Sequence, residues 1–279
     1  MTAVDWFPSN QCRRGRNQTR RPKNIASGSK GKVCMVLAKR ILQYRRRRRA
    51  AAAIGLAFYR SRQFKAPSQI QLFGKSYKLQ LPADHGTDVA FLDILLDDCY
   101  GLQHLPNRVE SVLDIGAHAG LFSIAARIRL PAATIHAYEP NPEVLPLLQN
   151  QSEIGNFTVF PNAVALTKSP VRVVAGGDSV HAKIISDPSS SVQSTPFSEA
   201  VARLSKRPLL AKLDCEGAEW EILRDRDAWK RVDFLTAEYH LWAGYSLSEL
   251  RSQIESLGFA IISICESGSD FGILTARQR

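Results

Sequence analysis

The run SVLDIGAHAGLF, from Ser111 to Phe122, constrains the fold more than any other stretch of this chain. A short apolar segment ends in an acid, passes through two glycines and continues as an amphipathic segment, which is the pattern of a strand, a tight loop and a helix. Gly116 and Gly120 permit positive φ angles and close approach of a ligand to the backbone. The spacing DxGxxxG differs from the GxGxxG of dinucleotide folds, so the run alone predicts either a nucleotide site or an ordinary turn.

A second acid favours the nucleotide site. The predicted strand over residues 132–140 ends in Glu139. Rossmann-like sheets place a carboxylate about 20 residues after the glycine loop, where it accepts hydrogen bonds from the ribose hydroxyls of the nucleotide. The sequence therefore predicts that an adenosine derivative binds here.

Strands and helices alternate through the rest of the chain. A hairpin is predicted over 70–81, and helices over 88–100, 121–128, 142–152, 197–204 and 246–257. Strands are predicted over 157–166, 171–175, 209–214, 233–239, 259–265 and 271–275, with an insertion over 176–195. Strands separated by helices form a parallel sheet with right-handed crossovers, and ligands bind beyond its carboxyl edge. Four acids follow strands at this edge: Asp114, Glu139, Asp214 and Glu238.

Three runs in this order resemble the FkbM family of S-adenosylmethionine-dependent methyltransferases: VLDIGAHAGLFSIAAR, the segment Ala137–Asn150, and LLAKLDCEGAEWEIL at Leu209–Leu223. The resemblance implies an α/β, Rossmann-like class I methyltransferase fold, with a mostly parallel seven-stranded sheet, a terminal hairpin and helices on both faces. His118 stands where the family usually has Asn, and Cys215 where it usually has a β-branched residue. Neither departure removes a carboxylate or glycine that the cofactor needs.

The same resemblance implies S-adenosylmethionine as the cofactor. Asp114 is expected to orient the amino-acid end of the cofactor and the loop backbone. Glu139 is expected to hold the ribose, and Asn162 or its backbone to lie beside the adenine. The full set of expected cofactor-binding residues is Asp114, Gly116, Ala117, Gly120, Glu139 and Asn162.

Methyl transfer to oxygen requires a collinear nucleophile, methyl group and sulfur, and removal of a proton from the hydroxyl nucleophile. Asp214, at the end of its strand, is expected to face the methyl group and the acceptor. His240 follows the next strand and competes with Asp214 as the general base, since the pKa of a histidine lies near neutrality. A Mg²⁺ site among the strand-end acids is an alternative, although no ligands show a recognisable metal spacing.

Charge divides the chain into two parts. Residues 1–65 carry 18 basic side chains and one acid, whereas residues 66–279 carry 19 basic and 25 acidic ones. We expect residues 1–65 to be a largely disordered basic arm with an amphipathic helix at about 35–60, and 66–279 to be the methyltransferase domain. The arm is predicted to contact a membrane surface. The acidic domain is not expected to bind nucleic acid.

The five cysteines are scattered and never spaced as CxxC, which predicts reduced thiols in a cytoplasmic protein.

The leading hypothesis is O-methylation of a hydroxyl on a small-molecule or glycan acceptor, such as a sugar or natural product. One alternative is a non-enzymatic binding protein whose basic arm contacts membrane or nucleic acid. Another is an NAD(P)-dependent oxidoreductase, although the loop lacks the middle glycine of GxGxxG.

Overall fold

The computed structural model describes residues 29–58, 64–174, 176, 179–180, 182–242 and 244–279. Residues 1–28 and 59–63 of the predicted arm therefore lie outside the described residues. The helices are α1 (Ser29–Ala53), α2 (His85–Phe91), α3 (Leu121–Arg129), α4 (Leu145–Gly155), α5 (Phe197–Ala202), α6 (Glu219–Ile222), α7 (Arg226–Trp229) and α8 (Leu247–Ser256). A π-helical turn, Leu92–Leu96, continues α2, and a 3₁₀ turn spans Leu102–His104.

The strands are β1 (Gln69–Leu72), β2 (Lys75–Lys78), β3 (Ser111–Ile115), β4 (Thr134–Tyr138), β5 (Thr158–Phe160), β6 (Ala163–Ala165), β7 (Val171–Val174), β8 (Lys183–Ser186), β9 (Ser194–Pro196), β10 (Leu209–Leu213), β11 (Phe234–His240), β12 (Phe259–Glu266) and β13 (Phe271–Gln278). Seven of them form the central sheet in the order β12-β13-β11-β10-β3-β4-β5. Strands β11, β10, β3, β4 and β5 run parallel, whereas β13 pairs antiparallel with β11 and β12. The predicted mostly parallel sheet with a terminal hairpin is confirmed.

The sheet is covered on both faces because alternate residues of its strands point in opposite directions. In β3, Val112 packs with residues of α3, whereas Leu113 packs with residues of α5 and α8. In β10, Leu210 belongs to the first of these two clusters and Ala211 to the second. Helices therefore lie on both faces, as the sequence predicted.

The end of α1 belongs to the folded core. Ala51 and Ile54 are buried beside Ile70 of β1, and Arg47 Nε donates a hydrogen bond of 2.8 Å to Asp97 Oδ1. The boundary at residue 65 stays a prediction, but the structure shows that the helix before it is packed against the domain.

Several segments differ from the sequence-based prediction. α1 runs from Ser29 to Ala53 instead of over about 35–60, and the short helices α6 and α7 were not predicted. The strand predicted over 157–166 is two strands, because Pro161 between them has no N–H to donate to a ladder. β5 completes the central sheet, whereas β6 pairs with β9. Within the predicted insertion, β8 forms a hairpin with β7.

Candidate active site

A cavity of about 570 Å³ opens at the carboxyl ends of β3, β4, β10 and β11. This is the edge where the chain order reverses between β3 and β10, and where open α/β sheets bind ligands. The sheet order places the loops after β3 and β4 on one side of the cavity and the end of β11 on the other. Asp214, directly after β10, lies between them.

The glycine loop forms the wall of the cavity after β3. Gly116 and Ala117 both line it, and their N–H groups donate to Tyr138 O at 3.1 and 3.0 Å. Gly116 has a φ of +74°, and a Cβ atom there would overlap the carbonyl oxygen of Asp214. The backbone of Gly116 therefore lies close to the backbone of Asp214, directly after β10, whereas the sequence predicted a close approach to a ligand.

Replacing Gly116 with alanine is expected to destabilise the protein by about 1–3 kcal/mol more than the same change at Gly74. Both glycines have similar positive φ angles, but nothing lies within 4 Å of a Cβ at Gly74. Gly74→Ala thus measures the conformational cost alone, about 1–2 kcal/mol, and Gly116→Ala adds overpacking. Urea unfolding of both variants gives the comparison. Equal losses would show that the contact with Asp214 relaxes freely.

Gly120 is not among the residues that line the cavity, and its predicted close approach to the cofactor stays a prediction. A Cβ atom there would lie 2.9 Å from Leu148 Cδ1 and 3.1 Å from Phe157 Cζ. This glycine therefore lets the start of α3 pack closely on α4.

Glu139 lines the cavity and joins two loops. Its Oε2 accepts a hydrogen bond of 2.8 Å from His118 N, and its Oε1 accepts one of 2.9 Å from Asn141 N. Burial raises the pKa of Glu139 to about 7, although the two backbone hydrogen bonds lower it. Each carboxylate oxygen keeps a second lone pair that can accept a hydroxyl proton.

Asn162 also lines the cavity, between β5 and β6. Its Nδ2 donates a hydrogen bond of 3.0 Å to Gln193 O, which fixes the orientation of the amide. The structure therefore brings Asn162, Glu139 and Gly116 to the wall of one cavity.

Asp114, which was predicted to orient the amino-acid end of the cofactor and the loop backbone, lies inside the protein. Its side chain is fully buried behind the cavity wall, where Oδ2 accepts a 2.7 Å hydrogen bond from Ser123 and Oδ1 lies 3.2 Å from Lys212 Nζ. Lys212 stands directly opposite Asp114 in the β3–β10 ladder. The side chain of Asp114 therefore does not reach the cavity surface, which argues against the predicted direct contact with the cofactor.

Lys212 is a buried cation to which the sequence analysis gave no role. Its Nζ donates to Gly116 O and lies 3.4 Å from Asp214 Oδ2. Burial would lower the pKa of Lys212, but the charges of Asp114 and Asp214 raise it above its ordinary value. The available signal was one lysine inside the otherwise apolar strand LLAKL.

Asp214 faces the cavity, as predicted. Its side chain is 26% exposed, and Tyr100 Oη donates a 2.9 Å hydrogen bond to Oδ2. Tyr100 and Lys212 thus hold this carboxylate in one orientation.

Glu238 lines the cavity at the end of β11. Burial, together with the charge of Asp214, raises the pKa of Glu238 to about 8. Among the described residues no hydrogen bond restrains its carboxyl group. The sequence predicted Glu238 at this edge of the sheet, but no pattern in it indicated a function.

His240 is not at the cavity wall, which argues against its predicted role as a base. It is 2% exposed and covered by Trp242, with ring centroids 4.1 Å apart. Its Nδ1 lies 3.3 Å from Glu219 Oε1. Burial would lower the pKa of His240, but this hydrogen bond and the neighbouring carboxylates raise it. His240 therefore supports the loop after β10, since Glu219 also accepts N–H bonds from Cys215 and Gly217.

The β7–β8 hairpin covers part of the cavity. Ser179 donates hydrogen bonds to Asp84 and lies 3.0 Å from His118 Nε2. Lys183 Nζ lies 4.5 Å from the centre of the Trp242 ring. These contacts join the predicted insertion to both sides of the site.

The described residues lack two features that are typical of other classes of protein. No group of three or more His, Cys, Asp or Glu side chains within these ranges is arranged to hold a metal ion. In the same part of the chain, no helix combines the length and apolar character needed to cross a bilayer.

Comparison with known proteins gives one family. The Methyltransferase FkbM domain matches residues 114–261, more than half of the chain. "Methyltransferase 1" of Beauveria bassiana is 27% identical, with 61% of this chain and 79% of that protein covered. The "31-O-demethyl-FK506 methyltransferase FkbM" of Streptomyces tacrolimicus is 24% identical, with 62% and 82% covered. A precorrin-6y C5,15-methyltransferase structure from Geobacter metallireducens is 15% identical, with a TM-score of 0.42 over 73% of this chain and 94% of that one.

Proposed function

This chain belongs to the FkbM methyltransferase family, and from that premise we propose that it methylates a hydroxyl oxygen of a sugar, glycan or natural product, with S-adenosylmethionine as donor. The family makes it an S-adenosylmethionine-dependent methyltransferase rather than an oxidoreductase or a non-enzymatic binding protein. The observation that carries the proposal is the single cavity in which Gly116 and Glu139 lie on one side of Asp214 and Glu238 on the other.

The residues of the cavity fit the donor. A volume of about 570 Å³ falls within the range for small-molecule sites, roughly 300–1,000 Å³. Glu139 would accept hydrogen bonds from the ribose hydroxyls with its remaining lone pairs, and Asn162 would lie beside the base. The carboxylate of Asp214 would offset the positive charge of a sulfonium at the centre of the cavity.

The donor supplies a methyl group on a positively charged sulfur. In the proposed reaction the sulfur–carbon bond breaks, an oxygen–carbon bond forms, and the proton of the hydroxyl passes to a carboxylate of the protein. Asp214, held by Tyr100 and Lys212, would position the acceptor hydroxyl. Glu238 would receive the proton, since its raised pKa matches the task of a general base near neutral pH.

The acceptor side of the cavity supports a hydroxylated substrate. Asp93 and Glu238 line the cavity, as do the apolar Ile94, Phe271 and Ile273, and Ile273 stands opposite Glu238 in the β11–β13 ladder. Carboxylates accept hydrogen bonds from hydroxyl groups, and apolar side chains pack against carbon rings. The name of the Streptomyces tacrolimicus relative also describes a methylation at oxygen.

We extend the proposal to the partners of the site and to the cellular location of the protein. The carboxyl groups that line the cavity would repel a phosphate backbone, so we expect no nucleic acid at this site. Cys99, Cys215 and Cys265 are free thiols, which supports a reducing, cytoplasmic location.

The donor assignment is tested by Glu139→Ala. Loss of hydrogen bonds to a charged group costs about 1.5–3 kcal/mol, so affinity for S-adenosylmethionine should fall about 10- to 150-fold. The saturated rate should fall much less, because the ribose is held alike in ground and transition states. Asp214→Asn should instead lower the saturated rate strongly and change the affinity for S-adenosylmethionine little. Calorimetric titration and saturated rates separate the two.

Glu143→Ala is the matched control, because Glu143 is exposed and should leave donor affinity unchanged. If Glu139→Ala binds the donor as the parent protein does, the ribose assignment is wrong. If the folded parent protein binds no S-adenosylmethionine, the proposed donor itself is wrong.

A further inference from the structure

The proposed reaction does not use the exposed face of α1. The helix has 25 residues and contains no acid, and Arg45–Arg49 form an uninterrupted run of arginines. Neighbouring like charges on a helix destabilise it unless an opposite charge lies nearby. A surface of opposite charge would remove this cost.

The run of arginines divides between two sides of the helix. Arg47 is buried against Asp97, and Arg46 lies 3.4 Å from the same carboxylate. Arg45, Arg48 and Arg49 are exposed, and within the described residues no carboxylate lies at ion-pair distance from them. One side of α1 is therefore neutralised by the domain, whereas the other side carries three unbalanced charges.

Two apolar side chains lie among these exposed arginines. Ile41 is 47% exposed and Leu42 is 70% exposed. Both lie on the same side of the helix as Arg45, Arg48 and Arg49, because steps of three, four and seven residues return to one face. A basic face with exposed large aliphatic side chains is typical of helices that lie on anionic membrane surfaces.

We propose that this face, formed by Ile41, Leu42, Arg45, Arg48 and Arg49, binds an anionic lipid surface. The arginines match the negative headgroups, and the two aliphatic side chains insert between them. The aliphatic pair favours lipid over nucleic acid, whose phosphates would leave these side chains in water.

Bound in this way, α1 would bring the cavity beside the lipid. Arg46 lines the cavity and stands between the exposed Arg45 and the buried Arg47. The rim of the cavity therefore adjoins the proposed lipid-binding face. Lipid binding is measured without methyl transfer, so it is independent of the proposed function.

Co-sedimentation of the full chain with vesicles tests the proposal. We expect binding to phosphatidylcholine vesicles that contain phosphatidylserine and none to pure phosphatidylcholine. The triple variant Arg45→Gln, Arg48→Gln, Arg49→Gln should lose roughly 100-fold in affinity, since each arginine beside an anionic surface contributes about fivefold. The exposed set Lys206→Gln, Arg224→Gln, Arg251→Gln removes the same charge elsewhere and should bind as the parent does.

A double variant, Ile41→Ser with Leu42→Ser, separates lipid from nucleic acid. It should weaken vesicle binding and leave binding to a duplex oligonucleotide unchanged. Circular dichroism melting checks that each variant is folded. Equal binding of both triple variants, or binding of the parent to oligonucleotide but not to vesicles, would overturn the proposal.

Discussion

Glu238→Gln is expected to slow methyl transfer by about 10²- to 10⁴-fold at saturating donor and acceptor, the range for loss of a general base. Glu238 lines the cavity, and its pKa is raised to about 8 by burial and by the charge of Asp214. Glutamine keeps the shape of the side chain but cannot take up the hydroxyl proton. The chemical step therefore loses its base, while donor affinity should change little.

The pH dependence of the reaction rate is a second test of the Glu238→Gln variant. The parent rate should rise with pH as Glu238 releases its proton around pH 8, and the variant should lack this rise. Between the ordinary pKa of 4.5 and about 8, the folded protein holds a proton that the unfolded chain has released. Raising the pH over that range therefore lowers the free energy of unfolding of the parent. Glu238→Gln should reduce this dependence by the share of Glu238 and leave that of Glu139, whose pKa is about 7.

Rates and urea unfolding from pH 5 to 9 measure both effects. Glu143→Gln is the comparison variant, because Glu143 is exposed and is not among the residues that line the cavity. It should retain the rise in rate near pH 8. A Glu238→Gln enzyme with the parent rate and profile would return the role of base to Asp214.

The central sheet and its carboxyl edge were predictable because they depend on local patterns. Buried parallel strands such as β3 and β10 read as apolar runs that end in an acid, and a glycine loop follows the first of them. The distance along the chain from this loop to Glu139 was sufficient to place that carboxylate at the cavity. The sequence also predicted a helix at about 35–60, but neither the observed bounds of α1 nor its packing against Asp97, which lies 50 residues beyond Arg47.

The roles of His240 and Asp114 were not predictable because they depend on what covers a side chain. Strand periodicity places Glu238 and His240 on the same face of β11. It does not show that Trp242 covers the histidine while the carboxyl group stays open to the cavity. The strand pattern also located Asp114 at a strand end without showing that Lys212, almost 100 residues later, lies opposite it.

That pairing leads to the largest expected loss of stability, from Lys212→Met. The side chain of Lys212 is 3% exposed and that of Asp114 is fully buried, with 3.2 Å between Nζ and Oδ1. Methionine fills a similar volume but leaves the carboxylate of Asp114 buried without its cation. Breaking a buried ion pair in this way costs about 3–5 kcal/mol, whereas replacing both partners is often nearly neutral.

The double variant Lys212→Met with Asp114→Asn should therefore recover much of the loss, because the uncompensated charge is gone. Lys230→Met is the control, since the Lys230–Asp227 ion pair is exposed and should contribute far less. Urea unfolding at neutral pH gives the free energy of unfolding of the parent, of the single variants Lys212→Met and Lys230→Met, and of the double variant. If Lys212→Met is as stable as the parent, the pair contributes no net stability, and Lys212 serves the site only by orienting Asp214 and the carbonyl of Gly116.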